Sequence, residues 1–322
     1  MVEASWPAEL IAPRARLISD NDYCGDPDGI VQIAHHLLCK SVDIRAVVSS
    51  AVAPHHPSWN SHCSDDGAAL VRRVAELAGR PDIPILTGSS VPMTSDQPIV
   101  SPGAEALVAE AMREDSDLPL FVACAGGLTT VASAWLMQPQ IAARLTVVWL
   151  GGHSYDITED QLPADYRYRE TNVMTDMAAS QIVFNHSNIP LWQIPQDAFS
   201  DLVASRSELL VRMRPHGPLG AHLFDSVGSR VDAWSKGIKM GETYGFGDES
   251  VVLLTALGGA YTPEPISSRW ITRPRPRLLA NGLYEDNPDG APIRVFTKLD
   301  TRLLFEDLYA KLQTYSEALE DN

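Results

Sequence analysis

Short apolar runs alternate with amphipathic stretches along most of the chain. After Ile30, apolar residues recur at the third, fourth, seventh and eighth following positions, which places them on one face of a helix. Similar periodicity predicts helices at 65–78, 103–113, 128–136 and 303–312. Short apolar, often β-branched runs predict strands at 14–19, 43–49, 83–86, 118–124, 145–150 and 293–298. The repeated order of strand and helix predicts an α/β fold, with a mostly parallel central sheet flanked by helices on both faces.

A cluster of acidic residues follows the first predicted strand. Four carboxylates lie within nine residues, at Asp20, Asp22, Asp26 and Asp28. Because like charges repel, folding avoids such crowding unless a cation, hydrogen-bond donors or open water offsets it. In parallel sheets the ligand site lies beyond the carboxyl ends of the strands, which is where this cluster belongs. The pattern predicts a metal or catalytic site, with a solvated acidic turn as the simpler alternative.

Two glycine-containing loops are expected at the same edge of the sheet. Residues 125–130 follow the fourth predicted strand, and residues 151–153 follow the fifth. Glycines at such positions allow the backbone to approach a ligand closely, although they also serve in ordinary tight turns. Neither loop matches a Walker A or a GxGxxG sequence, so we expect no nucleotide phosphate site there.

The charge balance narrows the range of partners. With 25 Lys and Arg against 41 Asp and Glu, the formal net charge is −16. That charge argues against nucleic-acid polymers and anionic membranes as partners, and it favours a small neutral ligand. The apolar stretches are too short to span a bilayer, and residues 1–16 lack the apolar segment of a secretory signal. We therefore expect a cytoplasmic protein.

No feature of the sequence marks a boundary between domains. We find no internal repeat, low-complexity tract or linker, so one domain over residues 1–322 is the simplest organisation. The four cysteines form no CxxC pair, which argues against a disulfide framework and a zinc ribbon. Residues 262–277 carry four prolines and four arginines, and they are predicted to form a surface excursion before the last strand and helix.

The order of these motifs resembles that of the inosine-uridine preferring nucleoside hydrolases, which cleave the N-glycosidic bond of ribonucleosides. The acidic run is similar to the family's DxDxGxDD loop with one residue inserted. Four later stretches also resemble family motifs, namely AGGLTT at 125–130, VWLGG at 148–152, ETN at 170–172 with DMAA at 176–179, and GDESVV at 247–252. The resemblance covers nearly the whole chain. It implies a Rossmann-like open sheet, a nucleoside or riboside as ligand, and assembly into a homo-oligomer.

The resemblance also implies roles for individual residues. Asp22 corresponds to the family's calcium ligand that also acts as general base. Asp248 corresponds to a second carboxylate ligand, and Thr129 to the residue whose backbone carbonyl binds the ion. The remaining correspondences are the ribose-binding residues Asp28, Glu170 and Asn172.

The chemistry of this set agrees with those roles. Hard oxygen ligands without histidine or cysteine suit Ca²⁺. Water beside such an ion is more acidic, and an adjacent aspartate can remove its proton as it attacks the anomeric carbon. The implied reaction is therefore calcium-dependent hydrolysis of a ribonucleoside to ribose and a free base. A single displacement by water would invert the anomeric centre.

The chain departs from the family pattern at several positions, including Thr130 in place of the usual Asn, and two departures affect the expected chemistry directly. Gly29 stands where the family has its second loop aspartate, so either Asp26 replaces it as a calcium ligand or the ion keeps more water. Gly247 stands where many members have a histidine that protonates the leaving base. The leaving group must then be activated by another residue, for which the candidates are His55, His56, Trp59 and His153.

These departures leave alternatives open. The chain could hydrolyse a different glycoside, or it could bind a nucleoside or a sugar without turnover. A zinc site is a further alternative, built from His55, His56, His62 and Cys63. Its spacing fits no standard zinc pattern, and the flanking prolines favour a loop at the rim of the pocket.

Overall fold

The computed structural model describes residues 11–94, 96–162, 164, 170–235 and 241–320. The expectations for residues 1–10 and for the last two residues lie outside the described part. The strands of the described part are β1 (Ala15–Asn21), β2 (Val42–Ser49), β3 (Ile85–Thr87), β4 (Leu120–Cys124), β5 (Leu145–Leu150), β6 (Leu191–Ile194), β7 (Val203–Ser205), β8 (Thr243–Gly245), β9 (Arg269–Pro274), β10 (Arg277–Leu278), β11 (Tyr284–Glu285) and β12 (Pro292–Lys298).

Eight of these strands form one central sheet. Their order is β3-β2-β1-β4-β5-β6-β12-β9. Every neighbouring pair is parallel except β12 and β9, which are antiparallel. The predicted α/β architecture with a mostly parallel sheet is therefore confirmed. The short pairs β7–β8 and β10–β11 are antiparallel and lie outside this sheet.

Helices connect most of the parallel strands and cover both faces of the sheet. They are α1 (Asp28–Leu38), α2 (Cys63–Leu77), α3 (Pro102–Ala111), α4 (Thr129–Met137), α5 (Thr171–Thr175), α6 (Met177–Gln181), α7 (Gln196–Phe199), α8 (Arg206–Arg212), α9 (Gly217–Ser235), α10 (Glu249–Ala256) and α11 (Thr301–Glu320). Among the described residues, none of these helices combines the length and the apolar character that crossing a membrane requires.

Successive residues of the central strands pack into two separate apolar cores. In β1, Leu17 belongs to one core and Ile18 to the other. In β2, Val47 and Val48 divide in the same way. A strand that is buried on both faces needs an apolar side chain at nearly every position, which explains the short continuous apolar runs in the sequence.

The position of β1 determines where a ligand can bind. This strand lies between β2 and β4, so the chain runs toward one edge of the sheet through β2 and β3 and toward the other edge from β4 onward. The crossover connections that follow β1 and β4 consequently lead toward opposite edges of the sheet. In sheets of this kind the divergence opens a crevice at the carboxyl ends of the two strands.

The prediction of a surface excursion at 262–277 was wrong in part, because this segment contains β9. That strand pairs with β12 and forms an edge of the central sheet. Arg275, which was expected on the surface, is 3% exposed. Its guanidinium donates hydrogen bonds to the carbonyls of Val183, Ser187 and Ile189. The sequence shows the prolines and charges of this segment but not the strand β12 that pairs with β9 or the carbonyl groups that bind Arg275.

Candidate active site

A cavity of about 660 Å³ opens at the carboxyl ends of the parallel strands. Six of the seven predicted site residues line it, namely Asp22, Asp26, Asp28, Glu170, Asn172 and Asp248. The seventh, Thr129, is buried at the start of α4, and its hydroxyl donates a 2.6 Å hydrogen bond to Asp176. The structure thus places residues separated by more than two hundred positions around one space.

The acidic loop after β1 is held by its own backbone and by one distant arginine. The amide of Asp22 donates to Oδ1 of Asn21 at 2.8 Å, and the amide of Gly25 donates to the carbonyl of Asp22 at 2.6 Å. The guanidinium of Arg230, in α9, donates to the carbonyls of Cys24 and Gly25. These contacts fix the turn that presents the Asp22 carboxylate to the cavity.

The loop after β4 packs directly against Asp22. A Cβ atom at Gly126 would lie 3.1 Å from the amide nitrogen of Asp22 and 3.4 Å from its Cβ. That is closer than side chains normally approach, so the glycine is what allows the two loops to meet. This contact is between two parts of the protein, and the predicted close approach of the loop to a ligand stays a prediction.

Asp248 is positioned by a neutral side chain. The Asn21 amide donates to Oδ2 of Asp248 at 2.9 Å and to Oε1 of Gln32 at 3.2 Å. The backbone amide of Asp248 donates in turn to Oδ2 of Asp28 at 3.2 Å. Oδ1 of Asp28 is buried and has no hydrogen-bond partner among the described residues. A buried carboxylate oxygen without a donor is unfavourable on its own, so it marks a place where a cation or a ligand hydroxyl fits.

Burial and mutual repulsion dominate the electrostatics of these carboxylates. Burial raises the pKa of Asp22 well above its usual value, and the charges of Asp26 and Asp28 raise it further. The pKa of Asp248 is raised by burial and then by the charge of Asp22. The pKa of Asp28 is raised by burial and then by the charge of Asp248. A divalent cation among these groups would offset both effects.

Glu170 and Asn172, at the start of α5, also line the cavity. Glu170 accepts hydrogen bonds from the backbone amides of Gly152, Asn172 and Val173 at 2.8 to 3.1 Å. The side-chain amide of Asn172 donates to the carbonyls of Ala125 and Leu150, at 3.2 and 2.8 Å. Asn172 therefore ties the loop after β4 to the end of β5.

Two of the candidate proton donors, His55 and His56, line the cavity. The amide of Ser58 donates to Nδ1 of His56 at 3.1 Å, which assigns the ring proton to Nε2. Nε2 then donates to Oδ1 of Asp26 at 3.2 Å. His56 thus bonds the one carboxylate of the site that is more than half exposed, since 53% of the Asp26 side chain is accessible.

His153 has a different position. It is buried beneath the cavity, and its Nε2 accepts a 3.3 Å hydrogen bond from the amide of Glu170. Its proton is therefore on Nδ1, which donates to Oε1 of Gln196 at 3.3 Å. These contacts make His153 a link between Glu170 and Gln196.

The histidines considered for a zinc site do not converge. His62 is exposed beside Asp65, whereas Cys63 is fully buried. Among the described residues, a group with metal-ligand spacing is instead formed by His35, Cys39 and Asp307, whose donor atoms lie within 4.8 Å of one another. The ammonium of Lys311 contacts Asp307 in this group. Nitrogen and sulfur donors suit transition metals rather than calcium, so this group is chemically distinct from the acidic cavity.

Several residues of the site were not predicted. Asn21 lies inside the acidic run, but its contact with Asp248 spans 227 positions and has no local sequence signal. The same holds for Arg230. Gln196, Phe199 and Ser200 also line the cavity. Their spacing of three and four residues is that of one helix face, which is a signal that the sequence did contain.

A match over most of the sequence decides which family this chain belongs to. A model of the family described as inosine-uridine preferring nucleoside hydrolase matches residues 18–254. The chain belongs to this family. It is accordingly an N-glycosyl hydrolase of the nucleosidase class. No curated protein sequence matches this nucleoside hydrolase.

Solved structures share the fold of this nucleoside hydrolase at low sequence identity. The plant nucleoside hydrolase PpNRh1 has a TM-score of 0.70 and 16% identity, over 94% of this chain and 99% of that chain. A purine-preferring ribonucleoside hydrolase from Gardnerella vaginalis has a TM-score of 0.69 and 15% identity, over 94% and 100%. The type III effector XopQ, solved with adenosine diphosphate ribose, has a TM-score of 0.66 and 14% identity, over 94% of both chains.

Proposed function

We propose that this nucleoside hydrolase cleaves the N-glycosidic bond of ribonucleosides in a calcium-dependent reaction, releasing ribose and a free base. The observation that carries the proposal is the unpartnered Oδ1 of Asp28, buried in a cavity that Asp22 and Asp248 also line. An oxygen acceptor in that position suits the hydroxyls of a sugar, and the surrounding carboxylates suit a hard cation. Family membership supplies the type of bond that is cleaved.

The oxygen atoms around the cavity fit calcium. Asp22, Asp26 and Asp248 line the cavity and are the side chains that would hold the ion. The family motif adds the backbone carbonyl of Thr129 as a further ligand. Calcium accepts six to eight oxygens in a flexible arrangement, so a site that has lost one aspartate at Gly29 can still be completed by water. When bound, the ion makes a neighbouring water molecule more acidic and anchors a sugar diol.

The protein's own side chains carry out proton transfer, binding of the sugar and stabilisation of the transition state. Asp22 removes a proton from the attacking water as general base, while the C–N bond to the base breaks. The departing base keeps the electron pair of that bond and takes up a proton to become the free base. Asp28, Glu170 and Asn172 bind the ribose hydroxyls and hold the sugar in one orientation. The carboxylates also stabilise the positive charge that develops on the sugar ring in an oxocarbenium-like transition state. The single-domain organisation over residues 1–322, the cytoplasmic location and the homo-oligomer stay predictions from the sequence.

A substrate panel tests the proposal. Purified protein with saturating calcium is incubated with inosine, uridine and nicotinamide riboside, and the release of reducing sugar is measured. We expect turnover of at least one ribonucleoside, and we expect a chelator to abolish it until calcium is restored. Turnover that persists unchanged after complete removal of calcium would contradict the metal dependence. Absence of turnover across the panel would contradict the hydrolase and favour a binding protein.

Restoring an aspartate at position 29 is expected to tighten calcium binding by about tenfold, because ligand charge governs affinity at such sites. A Cβ atom at Gly29 would lie 3.1 Å from the side-chain nitrogen of Asn21 and 3.3 Å from Oδ2 of Asp248, so a side chain there would displace the Asn21 amide slightly and lie beside a carboxylate that would hold the ion. The measurement is the calcium dissociation constant of Gly29→Asp by isothermal titration calorimetry. Gly29→Asn is the matched control, since it has the same size without the charge. Equal affinities of the two variants would show that position 29 does not face the ion.

A further inference from the structure

Gln196 and Phe199 of α7 line the cavity together with Ser200, the residue after the helix, and this surface is called the α7 face. The α7 face and the acidic loop come from different parts of the chain, because the helix follows β6 whereas the acidic loop follows β1. The ring of Phe199 is partly exposed, and Gln196 and Ser200 are exposed. The cavity therefore has one wall of negatively charged oxygens and another made of an aromatic ring and neutral polar groups.

Gly247 allows the Phe199 ring to lie next to the acidic wall. A Cβ atom at Gly247 would be 3.3 Å from Cδ2 of Phe199 and 3.3 Å from Cδ1 of Leu150. The ring thus packs against the backbone one residue before Asp248. A larger side chain at 247 would have to displace the ring or the leucine. The apolar recess that Leu150, Phe199 and Gly247 form is contiguous with the reacting centre.

Backbone hydrogen bonds hold the α7 face in that position. The amide of Leu202 donates to the carbonyl of Phe199 at 3.0 Å, and the amide of Phe246 donates to the carbonyl of Leu202 at 2.7 Å. The antiparallel pair β7–β8 continues this connection. The amide of Gln196 donates to the carbonyl of Gly152 at 3.0 Å. The helix is therefore fixed both to the end of β5 and to the loop before Asp248.

The Gln196 side chain presents hydrogen-bond donors rather than an acceptor. Its Oε1 accepts the proton of His153 Nδ1 at 3.3 Å, so the NH₂ group is the part directed to other partners. A planar ring beside two N–H donors matches a heteroaromatic ligand with oxygen or nitrogen acceptors at its edge. A saturated or charged leaving group would gain little from such a surface.

We infer that the α7 face binds the leaving group of the substrate, and that Phe199 selects a planar heteroaromatic base by stacking on it. The inference rests on the proposed function, because it assumes that the sugar occupies the carboxylate wall. The remainder of the cavity is then the space for the group on the other side of the glycosidic bond. Phe199 is a specificity-determining residue in this arrangement, and Gly247 is the residue that makes room for it.

Inosine binding is measured with its C-nucleoside analogue 9-deazainosine, whose C–C bond cannot be hydrolysed. Binding of this analogue and of ribose by the calcium-loaded protein tests the carboxylate wall and the α7 face separately. Phe199→Ala is expected to weaken inosine binding by about 10- to 100-fold in isothermal titration, the size of a lost base–aromatic stack. Ribose binding should change by less than about twofold, since ribose does not reach the ring. Phe199→Tyr keeps the ring and should bind inosine like the wild type. Phe199→Leu keeps the apolar bulk without a ring and should resemble Phe199→Ala.

Equal losses for inosine and ribose in Phe199→Ala would overturn the inference, as would unchanged inosine binding or a wild-type protein that binds inosine no more tightly than ribose. Thermal unfolding of each variant shows whether the fold is retained, and the tyrosine variant retains the packing of the ring. Failure of the proposed function gives a different result. Wild-type protein without turnover on any riboside contradicts the hydrolase, whereas selective loss of inosine binding in that same protein would still place the base on Phe199.

Discussion

Asp22→Asn is expected to lower kcat for ribonucleoside hydrolysis by about 10³-fold or more, while the protein remains folded. The substitution keeps the size of the side chain but removes the oxygen that accepts the proton of water. It also replaces a charged calcium ligand by a neutral one. The measurement is release of reducing sugar from inosine at saturating calcium, with the calcium dissociation constant determined in parallel so that weak metal binding is not mistaken for a lost base.

Asp82→Asn is the matched control for that experiment. Asp82 is exposed just before β3, at the amino ends of the strands and therefore on the opposite side of the sheet from the cavity. The control should retain wild-type kcat. If Asp22→Asn binds calcium and still turns over within tenfold of the wild type, Asp22 is not the general base, and another cavity carboxylate must take that role.

Glu110→Ala is expected to reduce the free energy of unfolding by about 3 to 5 kcal/mol, because it removes one partner of a buried ion pair. Oε1 of Glu110 lies 2.7 Å from the guanidinium of Arg16, and both residues are less than 10% exposed. Arg45 and Arg113 contact the same carboxylate. The variant would leave Arg16 buried without its counter-charge. Urea unfolding at neutral pH measures the difference.

The loss of stability in Glu110→Ala depends on pH, because the Glu110 carboxylate titrates. Burial alone would raise the pKa of Glu110, but hydrogen bonds from Arg16 and Arg113 and the charge of Arg45 outweigh it and lower the pKa below its usual value. The stabilisation is therefore present above the unfolded-state pKa and is lost as the pH falls through the lower folded-state pKa. The difference between wild type and variant should shrink in that range. Asp115→Ala, which removes an exposed partner of Arg113, should leave stability nearly unchanged.

The central sheet was predictable because its strands are buried on both faces. A short continuous apolar run such as Leu145–Leu150 is most simply interpreted as a buried strand, and the structure places β5 at those residues. Edge strands lack this signal. β9 is mostly exposed on both faces and carries two arginines, so its pairing with β12 depends on tertiary contacts that a local pattern does not contain.

The candidate site also has a part that the sequence predicts and a part that it does not. The acidic loop was predictable because its carboxylates are adjacent in sequence and because loops after parallel strands meet at one edge of the sheet. Partners that approach from other elements were not predictable. Asn21 meets Asp248, and Arg230 meets Gly25, only after the whole chain has folded. Thr129 shows the limit of motif matching, since the motif assigns a role to its carbonyl whereas the structure records a bond of its hydroxyl to Asp176.

One buried histidine joins the C-terminal helix to the start of α10. Nδ1 of His35 lies 2.7 Å from Glu249, which directly follows Asp248, and Nε2 lies 2.8 Å from Asp307 in α11. A shortened chain that ends before α11 would lose the second carboxylate and leave the imidazole anchored on one side only. Deletions from the C-terminus should therefore be tested for calcium binding as well as for solubility, because a truncated protein could fold and still hold Asp248 in the wrong place.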